Sequence, residues 1–164
     1  HFKQQLLQHP LLFIALDSEE KGLQGAVALF KHQHLRAEQL AFNVNLDMLS
    51  RDTDQVLLAV GSYHHPWLSS LLKQQQAQSA VKLLAAYDRP WYKVGSVDDY
   101  TLSSDHGIFH QQGVPFIYFG VPDHPDYHSE RDTADKVDIA FYHQVVESVR
   151  VFLHLLDAEL LKRR

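Results

Sequence analysis

Short apolar runs that stop abruptly at acids or glycines limit the fold of this chain more than any other feature. Leu11–Leu16 is uninterrupted and gives way to Asp17, Ser18, Glu19 and Glu20, Gln55–Val60 ends at Gly61, and Val114–Phe119 ends at Gly120. Runs this short suit strands covered on both faces, because a buried helix needs roughly ten residues or more. Residues 41–49 read as a further strand, closed by a polar turn over 50–54. Helical patterns stand between these runs. Residues 23–31 suit a helix that Gly22 and Gly25 allow to start close to the sheet. A long helix is expected from His65, with Pro66 at the first-turn position that tolerates a missing N–H and Leu68, Leu72, Val81 and Leu84 along one side. Ser103–Gln112 reads as a short helix capped by Ser104 or Asp105 and ended by Gly113, and Trp91–Val94 as a short strand. Asp138 is expected to cap a closing helix in which Val145, Val149, Phe152, Leu156 and Leu160 repeat at helical spacing.

Strands alternating with helices predict an α/β fold, a three-layer sandwich with a mostly parallel or mixed central sheet flanked by helices. Chemistry in such folds gathers on loops at strand ends. The 164 residues, 45 % of them hydrophobic, suit one domain with an ordinary core.

Charge and composition remove several function classes. With 15 basic and 20 acidic side chains the formal charge is −5, and the only basic cluster is the tail Lys162-Arg163-Arg164, so nucleic acid is not an expected partner. No apolar stretch approaches the roughly 20 residues of a membrane span. The chain has no cysteine, so any metal must be held by histidine and carboxylate. Its 12 histidines are expected to be mostly surface residues, His1, His9, His32, His34, His143 and His154 among them.

Glu19 and Glu20 close the first apolar run. Adjacent residues at a strand end point in different directions, so one carboxylate can bind a metal while its neighbour faces a water. That division of labour suits metal-assisted hydrolysis, although Glu-Glu-Lys before a helix is also a favourable placement of negative charge. Two other strand ends carry potential ligands, Asn45-Leu46-Asp47 and the loop His124-Pro125-Asp126-Tyr127-His128.

Five segments taken together, Asp17–Gly25, Asn45–Met48, Ser104–His106, Gly113–Pro115 and His124–Thr133 followed by Asp135-Lys136, resemble the co-catalytic zinc aminopeptidases of clan MH. That family includes bacterial leucyl aminopeptidases and the glutamate carboxypeptidases. The resemblance implies a zinc exopeptidase, most readily an aminopeptidase acting on peptide substrates, with two zinc ions per complete site. It implies Glu19 as general base, Glu20 and His128 as ligands of one zinc, Asp47 as ligand of the other, and Tyr127 as a group that stabilises the oxyanion. Asp105 and His106 are implied to support the site or shape its pocket, and His124 and Asp126 to be loop architecture. Trp91, Tyr92, Tyr100 and Phe109 are candidates for pocket walls or core.

Relatives carry a further His-x-Asp motif upstream of the paired acids, and nothing before Glu19 supplies it here. The chain therefore reads as the C-terminal part of a zinc peptidase catalytic domain, with N-terminal strands missing and a partial ligand set. On that reading the fragment alone is inactive, and the open sheet edge is covered by the upstream segment or by a second copy of the chain. Export of many bacterial relatives implies a periplasmic or secreted location. Two other readings use the same scaffold. Glutaminyl cyclases carry Trp before the last zinc histidine, where Tyr127 stands, and some relatives have lost their ligands and act as receptors or assembly subunits.

Overall fold

Two strands, Val56–Val60 (β2) and Phe116–Gly120 (β4), are buried along their whole length and form the centre of the molecule. Unbroken burial is what their Val-Leu-Leu-Ala-Val and Phe-Ile-Tyr-Phe-Gly sequences require. The computed structural model describes residues 7–90 and 98–163. Around the central pair stand α1 (Gln24–Lys31), β1 (Asn43–Leu46), α2 (Leu68–Gln76), β3 (Lys82–Leu84), α3 (His106–Gln111) and α4 (Ile139–Lys162). The four strands run in the order β1-β4-β2-β3. β4 is parallel to β1 and antiparallel to β2, and β3 is parallel to β2, so the sheet is mixed.

Alternation along the central strands divides the core by face. Leu57, Ala59, Ile117 and Phe119 point to the side covered by α2 and α4, whose Leu68, Leu72, Phe141, Val145, Phe152 and Leu156 complete one cluster. Val56, Leu58, Val60 and Tyr118 face the other side, where Tyr87 and Tyr100 pack. His106 of α3 stacks on Phe116 and Tyr118 on that same side, and Phe109 and Val114 join Ala26 of α1 in a further cluster. Helices therefore flank both faces, as the alternation of elements predicts. No helix among the described residues is long and apolar enough to cross a membrane.

The closing helix begins where expected, with the Asp138 carboxylate accepting from the Phe141 N–H at 3.0 Å. Its Phe152 is fully buried and meets Phe119 edge to face at 5.1 Å. Phe152→Ala is expected to destabilise the fold by about 3–5 kcal/mol, whereas Tyr142→Ala on the exposed side of the helix costs less than about 0.5 kcal/mol. Urea unfolding midpoints of the two variants measure the difference.

Three expectations are corrected. Leu11–Leu16 forms no strand: it lies outside any ladder, with Leu12 62 % and Phe13 80 % exposed. An apolar run supplies side chains for a buried strand, but a strand also needs a neighbour for its N–H and C=O groups. Among the described residues this segment is tied at its ends, where the Asp157 carboxylate accepts from the Gln8 and His9 N–H groups and Gly25 N–H donates to the Asp17 carbonyl. The helix expected from His65 through Leu84 begins at Leu68 and stops at Gln76, and Lys82–Leu84 becomes an edge strand. The Gln76 amide makes that change of direction, donating to the Val81 carbonyl (3.2 Å) and accepting from Leu83 N–H (2.7 Å). The helix read over Ser103–Gln112 spans only His106–Gln111, and its N-cap, Asp105, makes no side-chain cap bond. The strand read over Trp91–Val94 lies outside the described residues.

Candidate active site

β1 and β4 are parallel and in register to their ends, with Leu46 opposite Phe119, so the segments that follow both strands emerge at the same edge. Asp47 N–H donates to the Phe119 carbonyl (3.1 Å) and Val121 N–H to the Met48 carbonyl (3.0 Å), which clips the two exits together. Open α/β sheets bind ligands outside such carboxyl ends.

Three stretches bring the predicted residues there. Glu19 and Glu20 occupy a 3-10 turn, Glu19–Lys21, entered through Ser18 at φ 55°. A side chain at Gly25 would run into the Asp17 backbone, so glycine is what lets α1 fold back against this turn. Asp47 precedes Met48 at φ 52°, and His128 itself has φ 52°. Left-handed backbone costs a non-glycine residue roughly 1–3 kcal/mol and persists only where surrounding structure imposes it. Three such residues are, or directly adjoin, the candidate ligand and base positions.

The result is a cleft of about 700 Å³ whose walls include Glu19, Glu20, Asp47, Tyr127 and His128. His128 Nε2 lies 2.9 Å from Glu20 Oε1. The Tyr127 ring stacks on the His128 ring at 3.8 Å and 21°. Asp47 is steadied from the bend before α3: the Ser104 hydroxyl donates to Asp47 Oδ2 (2.9 Å) and accepts from the Asn45 amide (3.1 Å). Asn45 and Asp47 share a face because they stand two positions apart on an extended chain, with Leu46 between them.

Convergence of acids sets the electrostatics. Partial burial, then the charges of Asp47, Glu20 and Asp105, push the Glu19 carboxyl above its ordinary pKa, with His128 opposing. Asp105 is raised by burial and by Asp47. Burial, then Asp123, Glu20, Glu19 and Asp47, raises the Tyr127 phenol, so it keeps its proton well above neutral pH. Tyr100, on the cleft wall, is pushed up to about 12 by burial and then by Asp123 and Asp98.

Asp105 and His106 are neither capping nor surface residues. Asp105 is 8 % exposed and its Oδ1 has no hydrogen-bond partner among the described residues. His106 is fully buried between Phe116 and Tyr118, and its Nε2–H donates to the Tyr100 carbonyl at 2.9 Å. Burial pulls its pKa down to about 4, so the ring is neutral and belongs to the core. His9 is likewise not a free surface residue, because its Nδ1 lies 2.7 Å from Asp157 Oδ1. Of the candidate pocket walls Tyr100 lines the cleft, Phe109 is buried against Phe30, and Trp91 and Tyr92 lie outside the described residues.

Sequence reasoning passed over Ser104 as a partner of Asp47, and it treated Arg51 and Asp126 as turn and loop. Asp126 is a hub: Lys136 first, then Arg51 and Arg131, hold its carboxyl down at about 2. The available signal was spacing, since Arg51 follows Asp47 by one turn of chain and Asp126 closely precedes His128.

Imidazole nitrogen and carboxylate oxygen are the donors zinc takes in a cysteine-free protein, and Glu20 with His128 already stand within one hydrogen bond of each other. In kind the residues fit zinc. In number they are a partial set, because a catalytic zinc takes three protein ligands and no three His, Asp or Glu side chains converge on a metal-sized point among the described residues.

Residues 1–153 match the model of peptidase family M28. In fold the chain is similar to the LapA aminopeptidase of Legionella pneumophila, with a TM-score of 0.68 at 17 % identity, over 94 % of this chain and 41 % of that one. LapB of the same organism gives 0.69 at 18 % identity over 94 % and 42 %. BSAP, a zinc aminopeptidase from Bacillus subtilis, gives 0.62 at 22 % identity over 85 % and 34 %. The chain thus spans well under half the length of the solved structures it matches. No curated protein matches it in sequence.

Proposed function

The chain belongs to peptidase family M28, and from that premise we propose that its cleft is part of the hydrolytic site of a zinc exopeptidase that removes N-terminal residues from peptides. One observation carries the reading: the Glu19-Glu20 turn, Asp47 and the Tyr127-His128 pair, far apart in sequence, line a single cleft at the sheet edge. Glu20 and His128 would hold one zinc and Asp47 a second, each with further ligands beyond these three residues. Zinc, when bound, supplies the positive charge that polarises the scissile carbonyl.

The chain's own groups account for the proton transfers. Glu19, whose pKa is raised first by partial burial and then by the acids around it, takes a proton from the attacking water and returns it to the leaving amine. Tyr127, protonated at neutral pH, donates a hydrogen bond to the carbonyl oxygen as charge develops there. Asn45 and Ser104 hold Asp47 in orientation.

An aminopeptidase recognises a free α-amine. The full-length, zinc-loaded protein is expected to release the first residue of a tripeptide with a free amino terminus and to leave its N-acetylated counterpart intact. Equal cleavage of both peptides, followed by mass spectrometry, would contradict the aminopeptidase assignment.

A further inference from the structure

Beside the cleft, with Asp132 on its wall, lies a charged cluster that the proposed chemistry does not use. Arg51 Nη2 is 3.1 Å from Asp126 Oδ2, 2.8 Å from Asp132 Oδ1 and 3.3 Å from His124 Nδ1. The Asp126 carboxylate also accepts from Lys136 Nζ (2.7 Å) and Arg131 Nε (3.2 Å). The Arg51 and Asp126 side chains are only 19 % and 17 % exposed, so the pair is largely shielded from solvent. Isolated surface ion pairs contribute little, whereas a shielded network with several partners on one carboxylate fixes geometry.

This network matters because the loop it holds has little else to hold it. Among residues 121–133 only Val121 is buried, and the stretch contains no helix or strand. Apolar packing therefore cannot set its shape. The loop nevertheless carries both Tyr127 and His128, the latter in a left-handed conformation that surrounding contacts must impose. Lys136 and Arg131 come from the same stretch as Asp126 and stiffen it internally. Arg51 differs, because it belongs to the segment after β1 that also carries Asp47. It is the charged bridge between the two sides of the cleft.

From this geometry, and resting on the zinc-site reading above, we propose that Arg51 and Asp126 are positioning residues: the Arg51–Asp126 pair sets the Tyr127-His128 loop against the Asp47 segment, so that the ligands of the two sides arrive with their spacing fixed. Neither residue touches the reacting atoms. Their part is preorganisation, which is how outer partners of metal ligands act.

The test uses the full-length protein with Arg51→Met, Arg51→Lys and Arg131→Met, the last as a control on an exposed member of the same network. Zinc affinity is measured by competition with a chromophoric chelator, and hydrogen exchange of residues 121–133 is measured on chelator-stripped protein. Arg51→Met is expected to weaken zinc binding by about 10–100-fold. It should also speed exchange in the loop while leaving the thermal midpoint of the stripped protein at the wild-type value. Arg51→Lys recovers part of both losses, and Arg131→Met, which removes contacts within the loop and none to the Asp47 segment, leaves zinc affinity at the wild-type value. Zinc affinity within about twofold of wild type in Arg51→Met, against the larger loss that a ligand-supporting residue gives, overturns the positioning role. Should Arg51→Met not fold, Asp126→Asn replaces it with the same expected results. If the wild-type protein holds no zinc, the zinc-site reading fails by itself, and unchanged loop exchange in the Arg51 variant then overturns this inference separately.

Discussion

Glu19→Gln in the full-length, zinc-loaded protein is expected to lower kcat by about 10²–10⁴-fold with KM and zinc content unchanged. The substitution keeps size and hydrogen-bonding capacity and removes only the ability to accept and return a proton. Glu19 is suited to this test because the residue beside it, Glu20, is the one within hydrogen-bond distance of His128. Loss of the base therefore separates from loss of the metal. A steady-state assay with an amino-acid anilide, combined with metal analysis of the same sample, reads both. An unchanged kcat would remove Glu19 from the chemistry, and a fall in bound zinc would reassign it as a ligand.

His128→Ala has the second large effect. Removing the imidazole takes away one of the two side chains proposed to hold the first zinc and also the ring on which Tyr127 stacks. Zinc affinity is expected to fall by more than the roughly 10–100-fold that a supporting partner costs, and hydrolysis to stop. Stability should change little, since the His128 side chain is 54 % exposed and no core cluster includes it. Metal content by atomic emission and the thermal midpoint of stripped protein measure the two sides of this expectation. Retained zinc in the variant would mean that His128 is not a ligand.

How far these residues were legible depended on the kind of information each required. The central strands were readable because β2 and β4 are buried on both faces, and double burial requires a short apolar run. The last helix was readable from its stripe and from Asp138. Leu11–Leu16 misled because composition reports what a segment would bury and not what stands beside it to pair. Residues 82–84 misled because the break after Gln76 is made by a glutamine side chain bonding to Val81 and Leu83, without the glycine or proline that usually marks a helix end.

The site shows the same division. Glu19, Glu20, Asp47, Tyr127 and His128 were named from motif order, and the strand register then explains why Asp47 meets the Tyr127-His128 segment: parallel β1 and β4 end together. What holds them was not legible. Ser104 bonds Asp47 across 57 residues and Arg51 bonds Asp126 across 75, and a single sequence gives no pattern for such pairings. The enclosure of His106 was hidden for a related reason, since a histidine between Asp105 and Gly107 in sequence gives no sign of the two aromatic rings that enclose it in space.

The cleft is proposed to work through zinc held in part by Glu20, Asp47 and His128. Stripping the full-length protein with a chelator, restoring zinc, and following release of the first residue from an unblocked tripeptide tests it most directly. Activity lost on stripping and recovered in proportion to zinc returned is the predicted result. Hydrolysis that persists in the stripped protein, or that zinc does not restore although the protein remains folded, would contradict it.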